Sequence, residues 1–202
     1  MRKNIGVVLS LALMAGSAMA AAPDHQDAAH QALDLAEKSI ALRSVAGDAN
    51  QTPKIASLFR DALVKGGFVP TDVVITPYKD TAYLIARWPG SDPALKPLVI
   101  PGHMDVVEAK ASDWTHDPFK PQIENGYLLG RGSTDMKLDD TLAIAALLEL
   151  KKEGYKPRRD IILEFSGDEE TTMATGAIIA SKLANAELVL NMDGANGTLD
   201  EK

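Results

Sequence analysis

Strand-length apolar runs alternate with helical stretches through the second half of this chain, and that alternation limits the fold more than any other feature of the sequence. Leu98-Val99-Ile100 is short and wholly apolar, as in a strand covered on both faces. Residues 160–166 and 187–191 also read as buried strands. Between the first two runs lies the strongest helix, over residues 136–153. Leu138, Leu142, Ala145 and Leu148 step along one side of it. Asp139 and Asp140 stand in its first turn and Lys151 and Lys152 in its last, the arrangement a helix dipole favours, and Gly154 follows. Residues 175–183 form another helix. Upstream, residues 28–45 and 53–65 have helical spacing, 72–77 and 81–88 are β-like, and Asn125-Gly126 joins 122–124 to 127–129 as a hairpin. The order predicts an α/β domain whose mixed sheet is largely parallel and flanked by helices. In such sheets ligands gather beyond the carboxyl ends of the strands.

The amino terminus reads as an export signal over residues 1–20. Arg2 and Lys3 precede an apolar run from Val7 to Met14, and Ala18 and Ala20 supply the small residues of a peptidase site. Cleavage is expected after Ala20. The run is well short of the ~18 residues of a membrane span. The mature chain, residues 21–202, is therefore expected in the periplasm or secreted, free of the membrane. The whole chain carries a formal charge of −7, and loss of Arg2 and Lys3 makes it more acidic. That balance argues against nucleic acid as a partner. Cysteine is absent, so no disulfide staples the exported fold and no thiolate binds metal.

The polar residues that matter fall at the strand ends. His103 and Asp105 follow the first strand, Asp168, Glu169 and Glu170 the second, Asp193 the third, and Asp135 opens the long helix. Zinc takes imidazole and carboxylate ligands and, in catalytic sites, leaves a position for water. Asp105, two residues beyond His103 in extended chain, points the same way and can orient the ring. Glu169 and Glu170 diverge, so one can bind metal while the other meets the attacking water. Asp135 can bridge two metals about 3.5–4 Å apart. Each residue alone has a plainer use: Asp135 as a helix cap, Glu169-Glu170 as a solvated turn, His103 as a hydrogen-bonded histidine, Asp193 as a turn residue before Gly194. Their joint placement favours a metal centre. His25, His30 and His116 have no such setting and read as surface residues.

These residues sit in motifs that resemble the M20 metallopeptidases, the family of glutamate carboxypeptidase, acetylornithine deacetylase and succinyl-diaminopimelate desuccinylase. The resemblance runs from about Ala28 onward. It rests on Gly102-His103-Met104-Asp105-Val106-Val107, on Trp114 with Asp117-Pro118-Phe119, and on the run from Asn125 through Gly130-Arg131-Gly132-Ser133-Thr134-Asp135-Met136-Lys137. Asp168-Glu169-Glu170 and Asn191-Met192-Asp193-Gly194 complete it. The resemblance implies a zinc-peptidase catalytic domain with two zinc ions, for which cobalt or manganese could stand in. It assigns His103 and Asp193 to one ion, Glu170 to the other and Asp135 to both. Glu169 would be the general base, and Asp105 would orient His103. The implied activity is hydrolysis of an amide bond in a small peptide or an N-acyl amino acid, as in a carboxypeptidase or dipeptidase.

Two departures qualify the resemblance. Leu138 stands where the family commonly has glycine. The second zinc should take a histidine from late in the chain, and no candidate follows Asp193. The inserted lid domain, through which a homodimer would form, has no counterpart either. The resemblance thus implies that residues 21–202 are the N-terminal part of an incomplete catalytic domain, without lid or C-terminal part. Such a chain is expected to hold a single tight zinc and to turn over poorly by itself. Two other readings stand beside this one. An M28-like aminopeptidase shares the ligand logic, but the 130–137 run argues against it. A truncated, non-catalytic metal-binding or interaction module is the other.

Overall fold

The structure, a computed structural model, describes residues 25–194. The export signal expected over residues 1–20 lies outside the described residues. The elements follow in the order α1 (Gln26–Ile40), α2 (Thr52–Lys65), β1 (Val73–Tyr78), β2 (Thr81–Trp88), β3 (Leu98–His103), β4 (Gln122–Glu124), β5 (Tyr127–Leu129), α3 (Lys137–Lys152), β6 (Ile161–Ser166), α4 (Ala174–Lys182) and β7 (Leu188–Val189). No helix among the described residues is long and apolar enough to cross a membrane.

Five strands form one sheet in the order β1-β2-β6-β3-β7, and β4 and β5 pair separately. β1 pairs with β2, and β2 with β6, antiparallel; β3 runs parallel to both β6 and β7. The sheet is thus mixed, and its parallel half carries the motifs. β3 and β6 stay in register to their last residues, with His103 opposite Ser166. Two chain segments more than 60 residues apart therefore end side by side at one edge.

The main core lies on one face of the sheet. Leu84, Ala86, Leu163 and Phe165 meet Phe59 and Leu63 of α2 and Ile144 and Leu148 of α3, and Leu35 of α1 joins them. Phe165 meets Phe59 edge-on, ring centroids 5.6 Å apart. Truncating a ring buried this way costs about 3–5 kcal/mol. α4 covers the opposite face, where Lys182 Nζ stands 5.7 Å from the centre of the Tyr83 ring.

Two bounds differ from the expectation for physical reasons. The first helix stops at Ile40, not near residue 45. The carbonyl of Ser39 in its last turn and that of Leu42 just beyond it accept hydrogen bonds from the buried ammonium of Lys137 at 2.9 and 3.0 Å. The chain then turns, and Arg43 and Gln51 close it with backbone and side-chain bonds. The buried side of α3 also differs. Lys137, Asp140, Thr141, Ile144 and Leu148 lie inward, whereas Leu142 is 45% exposed. The leucine stripe Leu138–Leu142 is not the core face; a polar first turn is buried because it packs beneath the site.

Candidate metal centre

His103 closes β3 with its side chain buried. Its Nδ1 lies 3.0 Å from the backbone carbonyl oxygen of Asp105, and its Nε2 lies 2.9 Å from Asp135 Oδ1. A proton on Nδ1, donated to that carbonyl, leaves the Nε2 lone pair free for a metal. The residue before it must be glycine. A Cβ on Gly102 would fall 2.0 Å from Asp140 Oδ1 and 3.0 Å from the Phe165 ring.

Asp135 comes off the loop that precedes α3. The helix begins at Lys137 with Met136 as its N-cap, so Asp135 does not serve as a cap. Gly132, at φ 95°, lets this loop approach the Lys137 side chain, which a Cβ would meet at 2.9 Å. Glu170 comes from the turn after β6. Among the described residues, His103, Asp135 and Glu170 each bring one ligand atom within 4.8 Å of the others.

Asp105 holds that turn in place. Its carboxylate accepts the backbone N–H groups of Glu169 and Glu170, both at 3.0 Å. The expectation that this carboxylate orients the His103 ring is refined here. Asp105 Oδ1 stands 3.6 Å from Nδ1, and the nearer partner is its backbone oxygen. Asp168 also has a different use from the one its strand-end position suggested. Its carboxylate accepts Ala174 N at 3.0 Å, Thr175 N at 2.9 Å, Thr175 Oγ1 at 2.5 Å and the Thr172 hydroxyl, which anchors the start of α4.

Asp193 is not part of the close group of three. It lines a cleft of about 330 Å³ together with Asp135, Asp139, Ser133, Thr134 and Met192. The structure thus gathers His103, Asp135 and Glu170, hangs Glu169 on the Asp105 bond, and puts Asp193 in the wall of the cleft that Asp135 also lines. His116 is not a plain surface residue either: its ring packs edge-on against Trp114 at 5.7 Å.

The electrostatics call for a cation. Burial raises the Glu170 pKa, and Asp135 adds to it. Burial likewise raises Asp139, with Asp193 and Asp135 contributing. Burial works against charge on His103, but the Asp105, Asp140 and Asp135 carboxylates outweigh it and lift the ring to about 10. An excess of carboxylate around one imidazole is the donor set that a divalent transition ion fits.

Asp140 and Lys137 were not singled out as site residues by the sequence. Asp140 is fully buried, neither of its oxygens has a hydrogen-bond partner among the described residues, and burial pushes its pKa well up. Burial pushes Lys137 down to about 7, against Asp140 and Asp105. The available signal was the spacing of Asp140 with Ile144, which puts a charge on the core stripe.

The profile of Peptidase family M20/M25/M40 matches residues 99–199, half of the chain. A probable carboxypeptidase S-like 2 of Dictyostelium discoideum is 38% identical over 100 residues, covering 49% of this chain and 19% of that protein. Aminoacylase-1 of Sus scrofa is 38% identical over 87 residues, covering 43% of this chain and 21% of that protein. The di-peptidase Dug1p of Saccharomyces cerevisiae shares the fold at a TM-score of 0.66 and 24% identity, over 84% of this chain and 39% of that one. The match spans about a fifth of each of these two curated relatives. The close group of His103, Asp135 and Glu170, the Asp105 anchor and the strand register all fall within or beside the matched segment, and the chain belongs to Peptidase family M20/M25/M40.

Proposed function

We propose that this chain carries the core of a zinc-dependent amidase acting on small peptides or N-acyl amino acids. The observation that supports it most is the trio of His103, Asp135 and Glu170 at the ends of the parallel strands. Zinc held there would polarise the amide carbonyl and make water acidic enough to attack. His103 presents Nε2, and its Nδ1 bond to the Asp105 carbonyl fixes the ring. Glu169, held beside Glu170 by Asp105, takes a proton from the attacking water and passes it to the leaving amine. Asp135 is 54% exposed at its side chain and lines one cleft with Asp193, and in this reading the two share a second ion. The names of the curated relatives support the wider reading: one is a probable carboxypeptidase and one an aminoacylase.

The test is amine release from dipeptides and N-acetyl amino acids by the intact gene product with zinc restored. Turnover that Glu169→Gln abolishes supports the proposal; no turnover on either substrate class overturns it. The export signal is part of the same reading and has its own check. Mass spectrometry of the exported protein should find Ala21 first, and a retained Met1 would rule export processing out.

A further inference from the structure

The head of α1 meets the tail of α3 in a second cluster of metal-ligating groups. His25 stands at the N-cap of α1. Glu149 lies in the last turn of α3, and Glu153 follows that helix as its C-cap. Each of the three brings one ligand atom within 4.8 Å of the others. His25 Nδ1 and Glu153 Oε1 are 3.9 Å apart, too long for a hydrogen bond. Two ligands of one tetrahedral zinc lie about 3.4 Å apart, given metal–ligand bonds of about 2.0–2.2 Å. The side chains of His25 and Glu153 are 55% and 39% exposed, so rotation can supply the difference.

Three features favour a cation here. Both glutamates sit at the carboxyl end of α3, where the helix dipole disfavours negative charge and favours positive. Asp27 adds a third carboxylate nearby, and the ammonium of Lys152, 3.4 Å from both Asp27 and Glu149, is the one basic group paired with them among the described residues. An apolar groove formed by Ala28, Ala29, Leu142, Ala145, Ala146 and Leu150 adjoins the cluster. Its low polarity strengthens attraction between an ion and its ligands.

We propose that His25, Glu149 and Glu153 form a separate site for a divalent transition ion such as zinc, which staples the start of α1 to the end of α3. Imidazole with two carboxylates is a donor set zinc accepts. The site lies about 18 Å along α3 from Lys137, at a rise of about 1.5 Å per residue, so it is independent of the catalytic reading. Its role is to fix the helix pair.

The test combines metal counting with thermal unfolding on the mature protein. Equilibrium dialysis against zinc should find one ion fewer per chain in His25→Ala and in Glu153→Gln than in the unaltered chain. Both changes are on the surface, and circular dichroism checks that the fold is kept. In a His103→Ala background, zinc at roughly 100 times its dissociation constant should still raise the melting midpoint by about 5 °C or more. Adding His25→Ala to that background should remove the rise. An unchanged zinc count in both single variants overturns the proposal, as does a midpoint rise that survives in the double variant. These outcomes are independent of amidase activity, so failure here and failure of the proposed function are separately visible.

Discussion

The carboxylate of Asp105 accepts the backbone N–H groups of both Glu169 and Glu170 at 3.0 Å. One aspartate on the loop after β3 therefore sets the position of two glutamates on the turn after β6. Asp105→Ala removes both acceptors and leaves two N–H groups without them. Metal affinity is expected to fall by about 10–100-fold, the range for losing a group that orients ligands. Competition with a chromophoric chelator measures this; an affinity within twofold of the unaltered chain would show that the turn holds itself.

Glu169 and Glu170 are adjacent but should respond differently. Glu170 brings a carboxylate oxygen within 4.8 Å of the ligand atoms that His103 and Asp135 offer. Glu170→Gln is expected to weaken zinc binding at the main site. Glu169→Gln should leave metal content nearly unchanged while lowering amide hydrolysis by about 10²–10⁴-fold, the typical contribution of a general base. Elemental analysis beside the activity assay separates the two, and exchanged outcomes would mean exchanged roles.

Asp168 is a structural residue beside the candidate metal centre. Thr172, Ala174 and Thr175 all donate to it, and the threonine hydroxyls help outweigh burial and hold its carboxyl below the usual range. Asp168→Ala should cost about 1–2 kcal/mol of stability, as for loss of a helix cap. Urea unfolding checks it; a change under about 0.3 kcal/mol would show that α4 needs no such anchor.

Glu164 gives the chain a pH-dependent stability. It sits mid-strand in β6, opposite Ile85 and Pro101, and burial raises its pKa to about 8. Unfolded, it titrates near the ordinary 4.5. Between these values the folded chain keeps a proton that the unfolded chain loses. This contribution is fully present below about pH 4.5 and is lost as pH rises to about 8. Glu164→Gln should therefore stabilise the protein by ~1–3 kcal/mol at pH 8 and change little at pH 4.5. Urea midpoints at both pH values test it, and an equal shift at both would refute the assignment.

Periodicity made the order of strands and helices legible, because a strand covered on both faces and an amphipathic helix each leave a local pattern. That His103 and Glu170 meet at one edge was legible because β3 and β6 end together; that they fall in one close group with Asp135, leaving Asp193 outside it, was not, since the resemblance divided His103 and Glu170 between two ions. What the sequence concealed depends on partners far along the chain. The inward side of α3 was misread because Lys137 looks like a surface residue until Ser39 and Leu42 are seen to accept its bonds. Asp105 and Asp168 are equally plain carboxylates in the sequence; only the backbone N–H groups each one meets tell positioning from capping.

The separation of His103 from Asp135 by 32 residues, and of Asp105 from Glu170 by 65, has a consequence for how the chain matures. No stretch of unfolded chain holds His103, Asp135 and Glu170 near one another, so a metal ion would gain nothing there until β3 has paired with β6. Such an ion would be a late arrival that favours the finished fold, stabilising it in proportion to the logarithm of its free concentration over its dissociation constant. A chain exported unfolded would cross without this metal and acquire it only where it folds.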